Sequence, residues 1–503
     1  MKYRMTRRNV LAGLGVGAAG ILMPRILTAQ DAAGTGGRRP NFIFILNDDH
    51  GWAETSVRMH PNIAESCCPY LETPNIERLA MGGMRFSSGY APAPICTPTR
   101  RGVLCGKTPA RLRGTEFPCD PPDFFDPAQH LTIPKALKAV DSNYRCAHFG
   151  KWGELIPAPN LAGYDASDGE TGNITGGGMA DEDRKRQPLI APEPKDDPKL
   201  IFSMTKRAMD FMEKQVGEKH PFFMQVSYYA AHHQIQARAA TVEKYRKKGQ
   251  PPRDFPLEWA AMLEDLDTGI GQLLDKIDAL GIADSTYVFL SADNGGAPHE
   301  KDDPLYVNRL AAAKEGATPA AGARLPENYP LRGAKQWLYE GGIRVPFIAR
   351  GPRIKAGGFS HVPVAQYDLL PTFVDLAGGK GPLPAEVDGG SLRAVLENEG
   401  KGDVKRALPG LVFHRPQRGY SAFRSGDLKL VVNWTEGKKE LYDLSTDIGE
   451  QNDLAATMPD KTAALYDILT NYLASVNAEK FDAAKTGKGK RKRKAGPKPE
   501  DKK

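Results

Sequence analysis

Three stretches of this chain are apolar almost without interruption and end in polar loops. Asn41-Phe-Ile-Phe-Ile-Leu46 runs into Asn47-Asp48-Asp49-His50-Gly51, and Pro221-Phe-Phe-Met-Gln-Val-Ser227 runs into a loop carrying His232 and His233. Thr286-Tyr-Val-Phe-Leu290 runs into Ser291-Ala292-Asp293-Asn294-Gly295. Short runs of this kind read as central strands covered on both faces, each with a polar loop at its C-terminal end. Between the last two, Met262, Leu266, Ile270, Leu273, Leu274, Ile277 and Leu280 fall on one helical face, and Gly281 can end that helix. Strands alternating with helices predict an α/β layered fold. The polar residues beyond the strand ends then collect on one edge of the sheet, where open α/β folds place their sites.

The pattern changes after about residue 402. Ser421 to Val432 reads as a hairpin turning near Ser425-Gly426, followed by Leu441-Tyr442-Asp443-Leu444 and a helix across Lys461 to Val476. The expected division is a catalytic domain over 40–402 and a smaller α+β C-terminal subdomain over 403–484, with a small antiparallel sheet and a helix. Residues 166–200 and 296–330, rich in Gly, Pro and charge, read as long loops over the site.

Composition adds two terminal segments. Residues 1–30 carry Thr6-Arg7-Arg8-Asn9-Val10-Leu11 and then an apolar Gly/Ala-rich stretch from Val10 to Met23, which resembles a twin-arginine export signal. That stretch is shorter than the roughly 20 residues that span a bilayer, so no stable membrane span is expected; an uncleaved anchor is the alternative. A cleavage site falls near Thr28-Ala29-Gln30, and 31–39 reads as a flexible linker. The destination is the bacterial periplasm or the extracellular space. From Lys485 to Lys503 ten Lys/Arg face two acids, a basic tail read as disordered; with the leader set aside as well, the formal +7 of the chain becomes −6 on the body. The tail is a solvated charge run or a tether for an acidic polymer. Without aromatic interleaving it does not predict a nucleic-acid partner.

The candidate chemistry gathers around Cys96-Thr97-Pro98-Thr99-Arg100, followed by Leu104-Cys105-Gly106-Lys107. Taken alone, Cys-x-Pro reads as a buried cysteine at a helix start. Asp48-Asp49 and Asp293-Asn294, at two strand ends, supply the carboxylate and amide oxygens that a hard cation such as calcium takes. His and Cys do not cluster at zinc-ligand spacing. The other cysteines are Cys67, Cys68, Cys105, Cys119 and Cys146, too sparse for a disulfide scaffold and of unassigned pairing.

The Cys-x-Pro-x-Arg run in this setting resembles the signature of the formylglycine-dependent sulfatase family, within the alkaline phosphatase superfamily. Gly150-Lys151-Trp152, Ala230-Ala231-His232, Leu331 to Lys335, Glu340 to Pro346, Asp368 to Thr372 and Leu441 to Leu444 resemble further landmarks of that family in the same order. The resemblance implies a large mixed central sheet sandwiched by helices. It implies that Cys96 is oxidised to formylglycine by a formylglycine-generating enzyme, and that one calcium ion per chain is held by Asp48, Asp49, Asp293, Asn294 and residue 96. The formylglycine would be hydrated to a diol, one hydroxyl attacking sulfur and the other driving release of sulfate. Arg100, Lys151 and Lys335 would neutralise the sulfate, and His232, or its neighbour His233, would protonate the leaving alcohol. The expected substrate is a sulfated carbohydrate. A phosphonate or phosphate ester hydrolase and a non-catalytic polysaccharide-binding relative are the alternatives.

One position departs from the family pattern. A histidine that contacts the formylglycine usually follows Gly-Lys-Trp; here Gly153 and Glu154 follow. His148 or a residue of a long loop is the expected substitute, or the site is open for a different substrate; His50 and His299 remain unassigned.

Overall fold

The computed structural model describes residues 39–116, 125–173, 196–297 and 324–483. The export signal, nearly all of the 31–39 linker, Cys119, His299 and the basic tail lie outside the described residues.

The first apolar run forms β1 (Asn41–Asn47), buried along its whole length. Its side chains alternate between two cores: Ile43 and Ile45 enter one, Phe42, Phe44 and Leu46 the other. A strand with two apolar faces must lie inside a sheet, and β1 does. The sheet also contains β2 (Met84–Phe86), β4 (Arg145–Gly150), β5 (Ala166–Ser167), β6 (Phe222–Ser227), β7 (Thr286–Ala292), β8 (Ile348–Arg350) and β9 (Gly358–Ser360), while β3 (Gly89–Tyr90) pairs separately with β10 (Val364–Ala365). The eight-stranded order is β5-β4-β6-β1-β7-β8-β2-β9. Strands β5, β4, β6, β1 and β7 run parallel; β8 is antiparallel to both β7 and β2.

Helices cover both faces. On the Ile43 side lie α1 (Pro74–Met81), α4 (Ile201–Gly217) and α5 (Leu257–Ala279). On the Phe42 side lie α2 (Cys96–Cys105), α3 (Ile133–Val140) and α6 (Leu369–Leu376). The predicted apolar stripe of α5 is buried from Met262 to Ile277, Leu280 caps the helix half-buried, and Gly281 follows at φ +63°. Helix α2 starts at Cys96 itself. Part of the expected loop 166–200 is ordered into edge strand β5.

The C-terminal part is a four-stranded antiparallel sheet, β11 (Leu411–Arg415), β12 (Tyr420–Ser425), β13 (Leu428–Asn433) and β14 (Lys438–Asp443), backed by α7 (Pro459–Ser475). Val412, Phe423, Leu430 and Leu441 pack on α7, whereas Phe413, Ala422 and Val431 pack on Tyr90, Leu338 and Tyr339 of the larger part. Among the described residues no helix is long and apolar enough to cross a membrane.

Candidate active site

Four parallel strands deliver their C-terminal loops to one place. Asp48 and Asp49 follow β1, Lys151 follows β4, His232 lies five residues beyond β6, and Asp293 and Asn294 follow β7. Backbone bonds lock these loops together: Asp48 N–H donates to Ala230 O, Lys151 N–H to Ser227 O and Asp293 N–H to Asn47 O. Asp48, Asp49, Asp293 and Asn294 are all at most 1% exposed. Such burial of three acids requires compensating cations or a metal ion.

Both forms of compensation have candidates here. Lys151 Nζ lies 2.5 Å from Asp48 Oδ2, Lys335 Nζ 2.6 Å from Asp49 Oδ1, and Arg100 Nη2 2.7 Å from Asp293 Oδ2. Arg100 also donates to Lys151 O. Burial alone would raise the Asp48 carboxyl, but Lys151, with His232, Arg100 and Lys335, outweighs it and holds the group below the usual range. Burial and the charge of Asp48 push Asp293 up to about 6 despite Arg100. Cys96 sits close enough to interact electrostatically with Arg100, Lys151 and Lys335.

Oxygens of Asp48, Asp49 and Asp293 lie within 4.8 Å of one another. Asp48 Oδ1 and Asn294 Oδ1 are buried and accept no hydrogen bond from the protein, while Asn294 Nδ2 donates to Asp49 Oδ1 at 2.8 Å. Converging hard oxygens with unspent lone pairs fit a hard divalent cation. His232 and His233 also gather with Asp49 within 4.8 Å, a mixed set that spacing along the chain does not reveal. Of the two sets, the buried all-oxygen one is the better match to a hard divalent cation, since the orphaned oxygens belong to it.

His232 is 6% exposed. Its Nδ1 contacts His233 O at 2.5 Å, and its Nε2 faces Asp49 Oδ2 at 3.7 Å. Burial pushes its pKa well below the usual value, against the pull of Asp48 and Asp49. A neutral ring donating Nδ1–H to the carbonyl presents a lone pair on Nε2.

Cys96 is 7% exposed and opens α2, whose residues are all buried. The first N–H groups of a helix have no intrahelical acceptor and point at whatever lies beyond the end, a favourable place for an anion. All five described cysteines are free thiols. Thr97 Oγ1, next to Cys96, is buried without a protein partner, and nothing in its sequence context singled it out. Also missed was the support behind the Asp49 loop: Glu54 accepts from Gly51 N–H at 2.5 Å, and Asn328 donates to Gly296 O at 3.1 Å.

Of the substitutes expected for the absent histidine, most long-loop residues lie outside the described residues, while His148 lies within them. His148 is fully buried, its Nε2 3.1 Å from Ser227 Oγ and its ring against Trp152 and Tyr164. His50 is spent on Asn47 and Glu54 O. Gly153 itself has φ +140°, and a Cβ there would lie 2.6 Å from Ile156 Cδ1.

Buried acids ringed by three cations stand close to a cysteine at a helix start, beyond the strand ends of a mixed α/β sheet, an arrangement suited to an anionic ligand. The Sulfatase family matches residues 40–379, and the family described as N-sulphoglucosamine sulphohydrolase, C-terminal, matches residues 333–479. The chain belongs to the sulfatase family and is a sulfuric ester hydrolase. It is 28% identical to arylsulfatase A of Homo sapiens over 89% of each chain. It is 29% identical to N-acetylgalactosamine-6-sulfatase of Mus musculus over 76% of this chain and 68% of the relative. Among solved structures, Ps i-CgsB in complex with k-i-k-neocarrahexaose superposes with a TM-score of 0.70 at 22% identity, covering 89% of this chain and 96% of that one.

Proposed function

We propose that this enzyme removes sulfate from a sulfated carbohydrate, with residue 96 as formylglycine and one calcium ion held by Asp48, Asp49, Asp293, Asn294 and residue 96. The observation that carries the reading is the convergence of the buried acids, with two orphaned oxygens, on the three cations around Cys96. As formylglycine, residue 96 supplies an oxygen nucleophile where cysteine offers a thiol. Calcium supplies positive charge against the anionic ester. The chain's own residues do the rest. Lys151, Lys335 and Arg100 bring fixed positive charge to the sulfate oxygens in a water-poor site, where preorganised charge acts most strongly. The N-terminal N–H groups of α2 add to it. His232 Nε2 is the group placed to exchange a proton with the ester oxygen, and it donates only after taking a proton up.

The carbohydrate reading draws support from two neighbours. Ps i-CgsB was solved with a neocarrahexaose, and another protein, with a TM-score of 0.60, was solved with its substrate D-glucosamine-2-N,6-O-disulfate. Export to the periplasm or beyond and maturation by a formylglycine-generating enzyme belong to the same proposal. The phosphonate alternative rests on a phosphonate monoester hydrolase of Agrobacterium radiobacter with a TM-score of 0.54 at 17% identity.

The test joins chemistry to activity. Peptide mass spectrometry of the active enzyme should find residue 96 with sulfur replaced by oxygen. Cys96→Ala should abolish turnover, and aryl sulfates should be cleaved faster than aryl phosphonates. Full activity in protein whose Cys96 remains entirely thiol would falsify the mechanism.

A further inference from the structure

The turn that carries Lys335 is held from outside the large sheet. Lys335 N–H donates to Gly296 O at 3.0 Å, and Gln336 N–H donates to Pro94 O at 2.8 Å, two residues before Cys96. Gln336 adopts φ +82°, a left-handed conformation that a side chain with a Cβ enters only at a cost. The turn therefore needs surroundings that over-determine it.

Those surroundings come from the C-terminal sheet. Arg415 ends β11 and is 2% exposed. Its Nη1 donates to Gln336 O at 2.5 Å, while Nε and Nη2 grip the two carboxylate oxygens of Glu116 at 2.8 Å each. A guanidinium has the fork to hold a carboxylate with two nitrogens and still present a third donor at a fixed angle. Arg418 Nη2 adds a bond to Gln336 Oε1 at 3.0 Å. Four residues further on, Glu340 N–H donates to Glu450 Oε2 at 2.7 Å, and Lys429 Nζ joins Glu340 Oε1 and Glu450 Oε1 at 2.8 Å each. Both ends of the 336–340 segment are thus tied to the C-terminal part. The ammonium of Lys335, on the other side of the turn, meets Asp49.

We propose that Arg415 is a positioning residue for Lys335: by pinning the Gln336 carbonyl it fixes where the Lys335 ammonium stands relative to Asp49 and residue 96. The consequence for catalysis rests on the function proposed above; the clamp itself rests on geometry alone. A residue that merely glues the two parts together would need only the Glu116 fork.

The test is a double-mutant cycle on an aryl sulfate, with hydrogen exchange as a readout independent of activity. Arg415→Met should lower kcat/KM by about 30–100-fold, the loss expected when a catalytic group is misplaced by about an ångström. In a Lys335→Ala background the same substitution should cost no more than about 3-fold, because residues acting through one another are not additive. The amides of Lys335 and Gln336 should exchange faster in Arg415→Met, and Arg415→Lys should recover part of the protection. Equal losses in both backgrounds, or unchanged exchange at these amides, would overturn the proposal. If Arg415→Met does not fold, Glu116→Gln, which loosens the aim of the guanidinium at similar volume, is read by the same two criteria. If the wild-type enzyme proves inactive on sulfate esters, the proposed function fails, and the exchange measurement judges the clamp by itself.

Discussion

His232 faces two demands that its surroundings separate. The contact of its Nδ1 with His233 O favours the tautomer with Nε2 open, and burial keeps the ring neutral. An acid–base group contributes about 10²–10⁴-fold, and most where the leaving oxygen is most basic. His232→Ala should therefore cost more on a sulfated sugar than on a nitrophenyl sulfate, compared as kcat/KM. Equal losses would point to His233 or Lys335 as the proton donor. Asp49 answers to a different measurement. It joins the carboxylate cluster and receives Lys335, so Asp49→Ala should weaken calcium binding in a calorimetric titration and reduce turnover strongly. Unaltered calcium affinity would remove Asp49 from the ligand set. The strand-end acids were legible because each of their loops carries its own polar signature, whereas Arg100, Lys151, His232 and Lys335 were reached through the family resemblance. Thr97, Glu54 and Asn328 were not legible, because a lone hydroxyl or acid has no local mark of what it will face.

At the scale of the element, the departure at Gly153 has a backbone reason. With φ at +140° the position suits glycine, and a Cβ would crowd Ile156 and come within 3.6 Å of Arg100 Cδ. Gly153→His should destabilise the fold by about 1–3 kcal/mol, as a side chain forced into such a conformation does, and should lower kcat/KM by disturbing Arg100. Urea unfolding and steady-state kinetics check both halves. A stable, more active variant would instead mean that the histidine contact was simply lost. Helix α2 is the converse case, since it starts at Cys96, and near its start only the N–H groups of Cys96 and Thr97 can face outward: Pro98 has none and Thr99 N–H donates to Ile95 O.

For the whole molecule, the C-terminal sheet is a second core joined to the first through Tyr90, Tyr339 and the buried Glu340–Lys429–Glu450 cluster. His414, inside it, takes the hydroxyl of Ser421 on Nδ1 and donates from Nε2 to Glu479 O, both at 2.7 Å. Burial lowers its pKa to about 4 from the usual 6.5. Between those values the unfolded chain binds the proton and the folded chain does not. The stability that neutral His414 contributes is therefore complete above pH 6.5 and lost as pH falls toward 4. Relative to His414→Gln, the wild type should lose stability across this window, by up to about 3 kcal/mol. Thermal melts of both proteins at a series of pH values measure the difference. A gap independent of pH would show that His414 is not buried as a neutral ring.

What the sequence by itself determined is local in origin. Strands β1, β6 and β7, helix α5 and the hairpin at Ser425-Gly426 follow from runs and periods that commit a few neighbouring residues to one environment. The cysteine motif and the strand-end acids are local too, and a family resemblance ordered them into a site. Tertiary structure decided the rest. Strands β2, β3, β8, β9 and β10 are two or three residues long, too short for a period to register, and exist because neighbours offer them a ladder. The gathering of His232 and His233 with Asp49, and the hold of Arg415 on Gln336 across 79 positions, are contacts between segments far apart in the chain. No pattern within either segment encodes such a meeting, because its energy arises only once the two cores have packed.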